Sequence, residues 1–309
     1  MTQIVAGRER AREVVRVLMD NPHVFFACDT EVAEIDLKEV GPIGNGRVTC
    51  ISIYGGPDLD CGEGAGKILW VDNMGAAEGT LEEFKVFFES ERHKKVWHNY
   101  GFDRHVMFNK PDRRDDQRID CKGFGGDTMH MARLWDTSME KRAGEGGFSL
   151  EALSLKLLGQ KFRKTPMKEL FGVAKLKKDG TPGNVFVLPP IDEIQTNPEV
   201  RQEFIAYSAY DAQATWLVHQ ALTRKLKEMP WKDDLSMLDF YEMYYIPFGE
   251  LLTDMERTGI YVEAKGYLKD VEVQARLDKK RDEEKFLAWA TSLQPGVAGI
   301  NPSSSTQIQ

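Results

Sequence analysis

Cysteine is scarce in this chain of 309 residues: Cys28, Cys50, Cys61 and Cys121, none in Cys-x-x-Cys spacing. That spacing argues against a zinc site and suits a reducing compartment. No apolar run approaches the roughly 20 residues that a membrane-spanning helix needs, so no membrane partner is expected. Positive charge is in deficit, with 41 Lys and Arg against 49 Asp and Glu and a net charge of −8. Such a balance argues against a nonspecific duplex binder with a broad basic face. Six histidines are scattered without a metal-ligand spacing. What is present is a 41% apolar fraction, enough for a real core. The length suits one domain of about 200 residues plus part of a second.

The informative residues are acids placed where acids are costly. Asp-x-Glu occurs four times, starting at Asp29, Asp254, Asp270 and Asp282. Asp29 alone ends an apolar run, Val24 to Cys28, of the length and composition of a buried strand. Residues i and i+2 of a strand share a face, so Asp29 and Glu31 point together, with Thr30 between them. The other three pairs lie in polar, Lys/Arg-rich helical sequence and read as solvated charge. Tyr-x-x-x-Asp occurs at Tyr54 and at Tyr207. Tyr54 runs into Gly55-Gly56-Pro57, a turn. Tyr207 and Asp211 lie on a helical face with Phe204, Ser208, Thr215, Val218 and Leu222, which stacks phenol over carboxylate. Asn-x-x-x-Asp occurs once, from Asn99 to Asp103.

Residue type then points to chemistry. Mg²⁺ and Mn²⁺ take hard oxygen ligands, chiefly carboxylate and water. Two such ions about 3.5–4 Å apart clamp the attacking and leaving oxygens of an in-line phosphodiester displacement. Asp29, Glu31, Asp103 and Asp211 can build that clamp from three separated elements, and the Tyr207 hydroxyl can orient the water. The bland alternative is a set of surface acids with one core tyrosine. It is disfavoured because a carboxylate closing an apolar strand is costly to bury without a cation.

The segments Asp29-Thr30-Glu31, Asn99-Tyr100-Gly101-Phe102-Asp103 and Tyr207-Ser208-Ala209-Tyr210-Asp211 together resemble the three motifs of the DEDDy 3′–5′ exonucleases, closest to the proofreading domains of family A DNA polymerases. Asp127-Thr128-Met129, Ala132-Arg133-Leu134-Trp135-Asp136 and Ser149-Leu150-Glu151-Ala152-Leu153 match the same pattern. Lys95-Val96-Trp97-His98-Asn99-Tyr100 and Leu176-Lys177-Lys178-Asp179-Gly180 are similar to plant and protist organellar members. The resemblance covers roughly residues 20–230. It implies a ribonuclease H-like α/β sheet flanked by helices, two divalent ions (Mg²⁺ or Mn²⁺) and a DNA 3′ end as substrate. It also implies that Asp29, Glu31 and Asp211 bind the ion carrying the water, with Asp29 and, through water, Asp103 on the second. A chloroplast or mitochondrial setting is implied for the full-length protein. Two alternatives stay open: a silent domain that only binds primer DNA or braces a polymerase, and a ribonuclease D-like RNA exonuclease.

Strands are expected at 24–31, 49–54, 67–71 and 95–98. Helices are expected at 80–89, 102–108, 127–134, 150–158 and 199–227. Residues 1–20 read as a helix, with Val14, Val15 and Leu18 on one side. Glu9 and Glu13 among its arginines speak against a transit peptide, so any targeting signal is expected outside this chain. Segment 159–190 is basic, with Lys175, Lys177 and Lys178 expected near the DNA backbone and a solvated loop or helical insert as the alternative. His98, Asn99 and Thr30 are expected to touch substrate, His98 with a core role as the alternative. Residues 231–309, with Leu251-Leu252-Thr253-Asp254-Met255-Glu256-Arg257-Thr258-Gly259-Ile260, resemble the start of a family A polymerase module, which is expected to continue beyond this chain.

Overall fold

The computed structural model describes residues 1–109, 118–139, 147–162, 165–176, 181–297 and 299–308. A six-stranded mixed sheet forms the frame: β1 (Thr2–Val5), β2 (Phe25–Ala33), β3 (Arg47–Tyr54), β4 (Ile68–Asp72), β5 (Lys94–Trp97) and β6 (Phe124–Asp127), in the order β1-β4-β3-β2-β5-β6. β2, β3 and β4 are antiparallel neighbours, while β1 on β4, β5 on β2 and β6 on β5 are parallel. Helix α1 (Arg8–Met19) and the short α2 (Lys85–Phe88) lie on one face. There Val14 and Leu18 pack with Phe84, Phe87, Phe88, Phe26, Cys28, Ile51 and Ile53. After β5 come α3 (Tyr100–Phe108), α4 (Thr128–Trp135), α5 (Leu150–Leu158), α6 (Met167–Phe171) and the hairpin β7 (Val173–Leu176) with β8 (Pro182–Val187). α7 (Ile191–Thr196) precedes α8 (Arg201–Glu228), whose Phe204, Ile205, Ala209 and Ala212 pack on Cys50, Tyr54 and Trp70 of the other sheet face. The two alanines let the helix approach the strands closely, as α/β layering requires.

A β9–β10 pair (Pro230–Lys232, Leu235–Ser236) leads to α9 (Met237–Phe240), a π-helical turn at Tyr241–Tyr245 and α10 (Ile246–Thr258). The chain divides into two compact units, Met1–Arg257 and Thr258–Gln309. The second contains α11 (Tyr267–Leu293), a 27-residue helix without a buried residue. No helix is long and apolar enough to cross a membrane among the described residues.

The expected strands and the helices at 102–108, 127–134, 150–158 and 199–227 are present within a few residues. Three readings need correction. Thr2–Val5, expected inside an N-terminal helix, is an edge strand: Gly7 at φ 87° separates it from α1, and pairing with Ile68–Val71 satisfies its backbone. Residues 80–89 form a 3-10 turn, Leu81–Phe84, running into a single α turn instead of one regular helix. Within the basic segment, α6 and the hairpin stand where a solvated loop or helical insert was the alternative to a basic arm.

All four cysteines are buried and unbridged, and burial raises the pKa of each, so Cys28 packs as a small core residue. Lys95 is also buried. Its ammonium donates to the carbonyls of Phe87 at 3.2 Å and Ser90 at 2.7 Å, and burial lowers its pKa to about 8.

Candidate active site

β2 carries the first two acids for the reason its alternation suggests. Phe26, Cys28 and Thr30 are buried, while Asp29 and Glu31 are half-buried. Asp29 pairs with Ser52 and Glu31 with Cys50, and Cys50 belongs to the cluster packed by α8. The two acids therefore share the α8 face. A bulge follows at Glu31/Val32, where the register jumps past Thr49. The Thr49 hydroxyl donates to the Glu31 carbonyl at 3.1 Å, which anchors the irregularity.

α8 supplies the third acid. One carboxylate oxygen each of Asp29, Glu31 and Asp211 lie within 4.8 Å of one another. Three half-buried carboxylates from two elements about 180 residues apart in sequence repel one another unless a cation joins them. Their donor set is all hard oxygen, which fits Mg²⁺ or Mn²⁺ and not a soft metal. Tyr207, one turn before Asp211, is half-buried, and its ring meets Phe171 edge-on at 5.8 Å. Phe171 ends α6, so the basic segment helps hold the tyrosine. Tyr210 faces elsewhere and donates to the Phe162 carbonyl at 3.1 Å.

Asp103 arrives from α3 and does not join that trio. Its Oδ1 accepts from the Thr30 hydroxyl at 2.6 Å and the Thr30 N–H at 3.1 Å. Thr30 thus spends its side chain on Asp103, from between the two strand acids. Burial pushes the Asp103 carboxyl up to about 7, against the Thr30 hydrogen bonds and with a contribution from Asp127.

Asn99 is exposed at the mouth of α3 in a left-handed conformation (φ 71°, ψ 54°), one that asparagine tolerates better than most residues. Asp127 holds it there. That carboxylate is wholly buried and accepts from the backbone N–H groups of Asn99 (3.1 Å), Tyr100 (2.8 Å), Met129 (2.8 Å) and His130 (3.4 Å). It caps α4 and fixes the start of α3 at once. In turn the Tyr241 hydroxyl, from the π-helical turn, accepts from the Asp127 N–H at 2.7 Å. The sequence marks Asp127 only as part of a matching segment. Its tie to Asn99 is a long-range contact that no local spacing signals.

His98 is half-buried, with Nδ1 2.8 Å from the Thr128 hydroxyl, and burial lowers its pKa. Lys175 is exposed on β7, while Lys177 and Lys178 lie outside the described residues. Val173, Val185, Phe186 and Val187 of the hairpin are exposed as well.

The model of a protein family described as 3′-5′ exonuclease matches residues 2–227. DNA polymerase I A, chloroplastic/mitochondrial, of Arabidopsis thaliana is 40% identical over 325 residues, taking in 99% of this chain and 30% of that protein. DNA polymerase I B, mitochondrial, of Oryza sativa subsp. japonica is 39% identical over 322 residues, with the same coverage of 99% and 30%. The chain therefore spans about 30% of the length of these relatives. Among solved structures, the Pol1 polymerase domain of M. smegmatis with primer-template DNA and dNTP aligns at TM-score 0.58 and 16% identity, over 99% of this chain and 39% of that one. Trypanosoma brucei RNase D with RNA U12 aligns at 0.53 and 12%, over 86% of this chain and 74% of that one. Identities this low speak to the fold, and with them the ribonuclease H-like reading of the mixed sheet stands.

Proposed function

This chain belongs to the 3′-5′ exonuclease family, and from that premise we propose that it removes nucleotides from the 3′ end of DNA by divalent-metal-assisted hydrolysis, proofreading for a DNA polymerase of a chloroplast or mitochondrion. The observation that carries the reading is the convergence of Asp29, Glu31 and Asp211 within 4.8 Å. These three would hold one ion, and Asp29 with Asp103 the neighbourhood of a second. Bound there, divalent ions supply an acidified water and offset the charge building on the phosphate.

The chain's own groups do the rest. Thr30 fixes the rotamer of Asp103. The Tyr207 hydroxyl orients the attacking water, with Phe171 steadying its ring. Asn99 and His98 border the strand end, and Lys175, Lys177 and Lys178 meet its phosphates. A frayed end needs only a few nucleotides held by local lysines and aromatics, so the acidic overall charge is no obstacle. Residues 231–309 would begin the polymerase module that the domain serves.

The test is a 5′-labelled oligodeoxynucleotide and its RNA counterpart, each with Mg²⁺. Stepwise shortening of the DNA from its 3′ end, faster for single-stranded or mismatched ends than for matched duplex, is expected because unpairing costs free energy. Preference for RNA would transfer the site to RNA processing, and no cleavage of either would leave a silent binding domain.

A further inference from the structure

We propose that α10 is a positioning element of the hydrolytic site: it grips Arg104 and His105, the two residues after Asp103, and so holds Asp103 on Thr30. The proposal rests on Asp103 belonging to the hydrolytic set. α10 lies beyond residue 227, where the family match ends, yet all but its last residue belongs to the first compact unit.

Asp103, Arg104 and His105 are consecutive on a helix of nine residues, and each is buried. Arg104 Nη1 donates to the Glu250 carbonyl at 3.0 Å and to the Thr253 hydroxyl, and Nη2 lies 2.9 Å from Asp254. His105 Nε2 is 2.7 Å from Glu256 Oε2. The grip is returned from the other side, because Arg257 donates to the Arg104 carbonyl at 2.7 Å while bonding Asp120 at 2.7 Å. A buried guanidinium is tolerated only while these partners stay in place, so the contact set is all or none.

Packing points the same way. A Cβ at Gly249 of α10 would lie 2.9 Å from the Phe124 ring, which stacks at 4.1 Å on Tyr100, the first residue of α3. A Cβ at Gly101 would lie 3.6 Å from Thr253. α10 is thus seated against the start of α3 by two glycines and locked to its middle by the contacts of Arg104, His105 and Arg257. Small displacements matter at such a carboxylate, since about 1 Å of misplacement can cost roughly 10²-fold in rate.

The competing account is that these contacts only stabilise the fold. Two variants of the full chain separate the accounts: Arg104→Met, which removes the grip, and Gly249→Val, which pushes α10 off Phe124. The readouts are kcat and KM on single-stranded DNA, and amide exchange in ¹⁵N-threonine protein. The Thr30 N–H reports directly on Asp103, and Thr215 inside α8 is the reference. Both variants should speed exchange at Thr30 by about tenfold or more with Thr215 unchanged. They should lower kcat by roughly 10²-fold with KM moving less than about threefold. Wild-type kcat and Thr30 exchange, or Thr30 and Thr215 accelerating together, would overturn the proposal. A wild type that cleaves nothing overturns the exonuclease reading instead, and Thr30 exchange alone then decides this one.

Discussion

α8 and α11 are nearly the same length, 28 and 27 residues, yet only one of them builds anything. α8 buries twelve residues, from Phe204 to Leu226. α11 buries none and exposes Val273, Leu277 and Trp289. It is laced instead by pairs one turn apart, Arg276 with Glu272, Lys279 with Glu283 and Lys280 with Glu284. Such pairs contribute only about 0.2–0.5 kcal/mol each. Propensity and local charge suffice to make a helix. Fixing a carboxylate against two others takes a packed face, which α8 has through Ala209 and Ala212 on the sheet. Asp278 and Asp282 on α11 also set two carboxylates one turn apart, but among the described residues of its own unit no sheet opposes them.

The largest effect expected is on cleavage. Replacing Asp29 and Glu31 together by alanine should abolish hydrolysis with the circular dichroism spectrum and melting transition retained, because the lost groups repel each other without a cation. The equivalent double change on α11, Asp278 and Asp282 to alanine, should leave the rate unaltered. Next comes Tyr207→Phe, where a loss of single-turnover rate on the order of 10²–10⁴ is expected for a group that positions a proton. Tyr210→Phe on the same helix is its control. An unchanged rate in Tyr207→Phe would make that residue a core tyrosine packed on Phe171.

How much of this was legible in sequence depends on the range of the interaction. The shared face of Asp29 and Glu31 was readable because a strand alternates, and the placing of Tyr207 one turn before Asp211 because a helix repeats every 3.6 residues. β1 was not, since Thr2–Val5 becomes a strand only through Ile68–Val71. Neither was the work of Asp127, whose acceptors' partners Asn99 and Tyr100 lie 28 and 27 residues away. The seat of Arg104 on Thr253 spans 149 residues and leaves no local trace. The hairpin β7–β8 was hidden by charge: the lysines of the segment invited a reading as a basic arm near the DNA backbone, while the exposed Val185 and Phe186 give it strand character.

Two smaller effects sharpen the contrast. Ala209→Leu on α8 should destabilise by about 1–3 kcal/mol through overpacking. Ala275→Leu on α11 should fall within about 0.5 kcal/mol of wild type, as surface changes do. Urea midpoints measure both, and comparable losses would show that α11 is packed in solution. Lys95 gives the fold a pH signature of its own. Its folded pKa of about 8 lies below the 10.5 of an ordinary lysine, so between those values the unfolded chain binds more protons. Stability should therefore rise with pH from about 8 to about 10.5 through this residue. Lys95→Met should lose that rise, and a variant keeping the wild-type slope would remove Lys95 as its source.

The central claim is that β2 and α8 meet in one divalent-ion site. Binding of Mn²⁺ to the unaltered chain and to Asp211→Asn, followed by electron paramagnetic resonance of the free ion, tests it without relying on turnover. The wild type should bind Mn²⁺ at a site that both Asp211→Asn and Asp29→Asn weaken strongly. Equal Mn²⁺ binding in all three proteins would contradict the account.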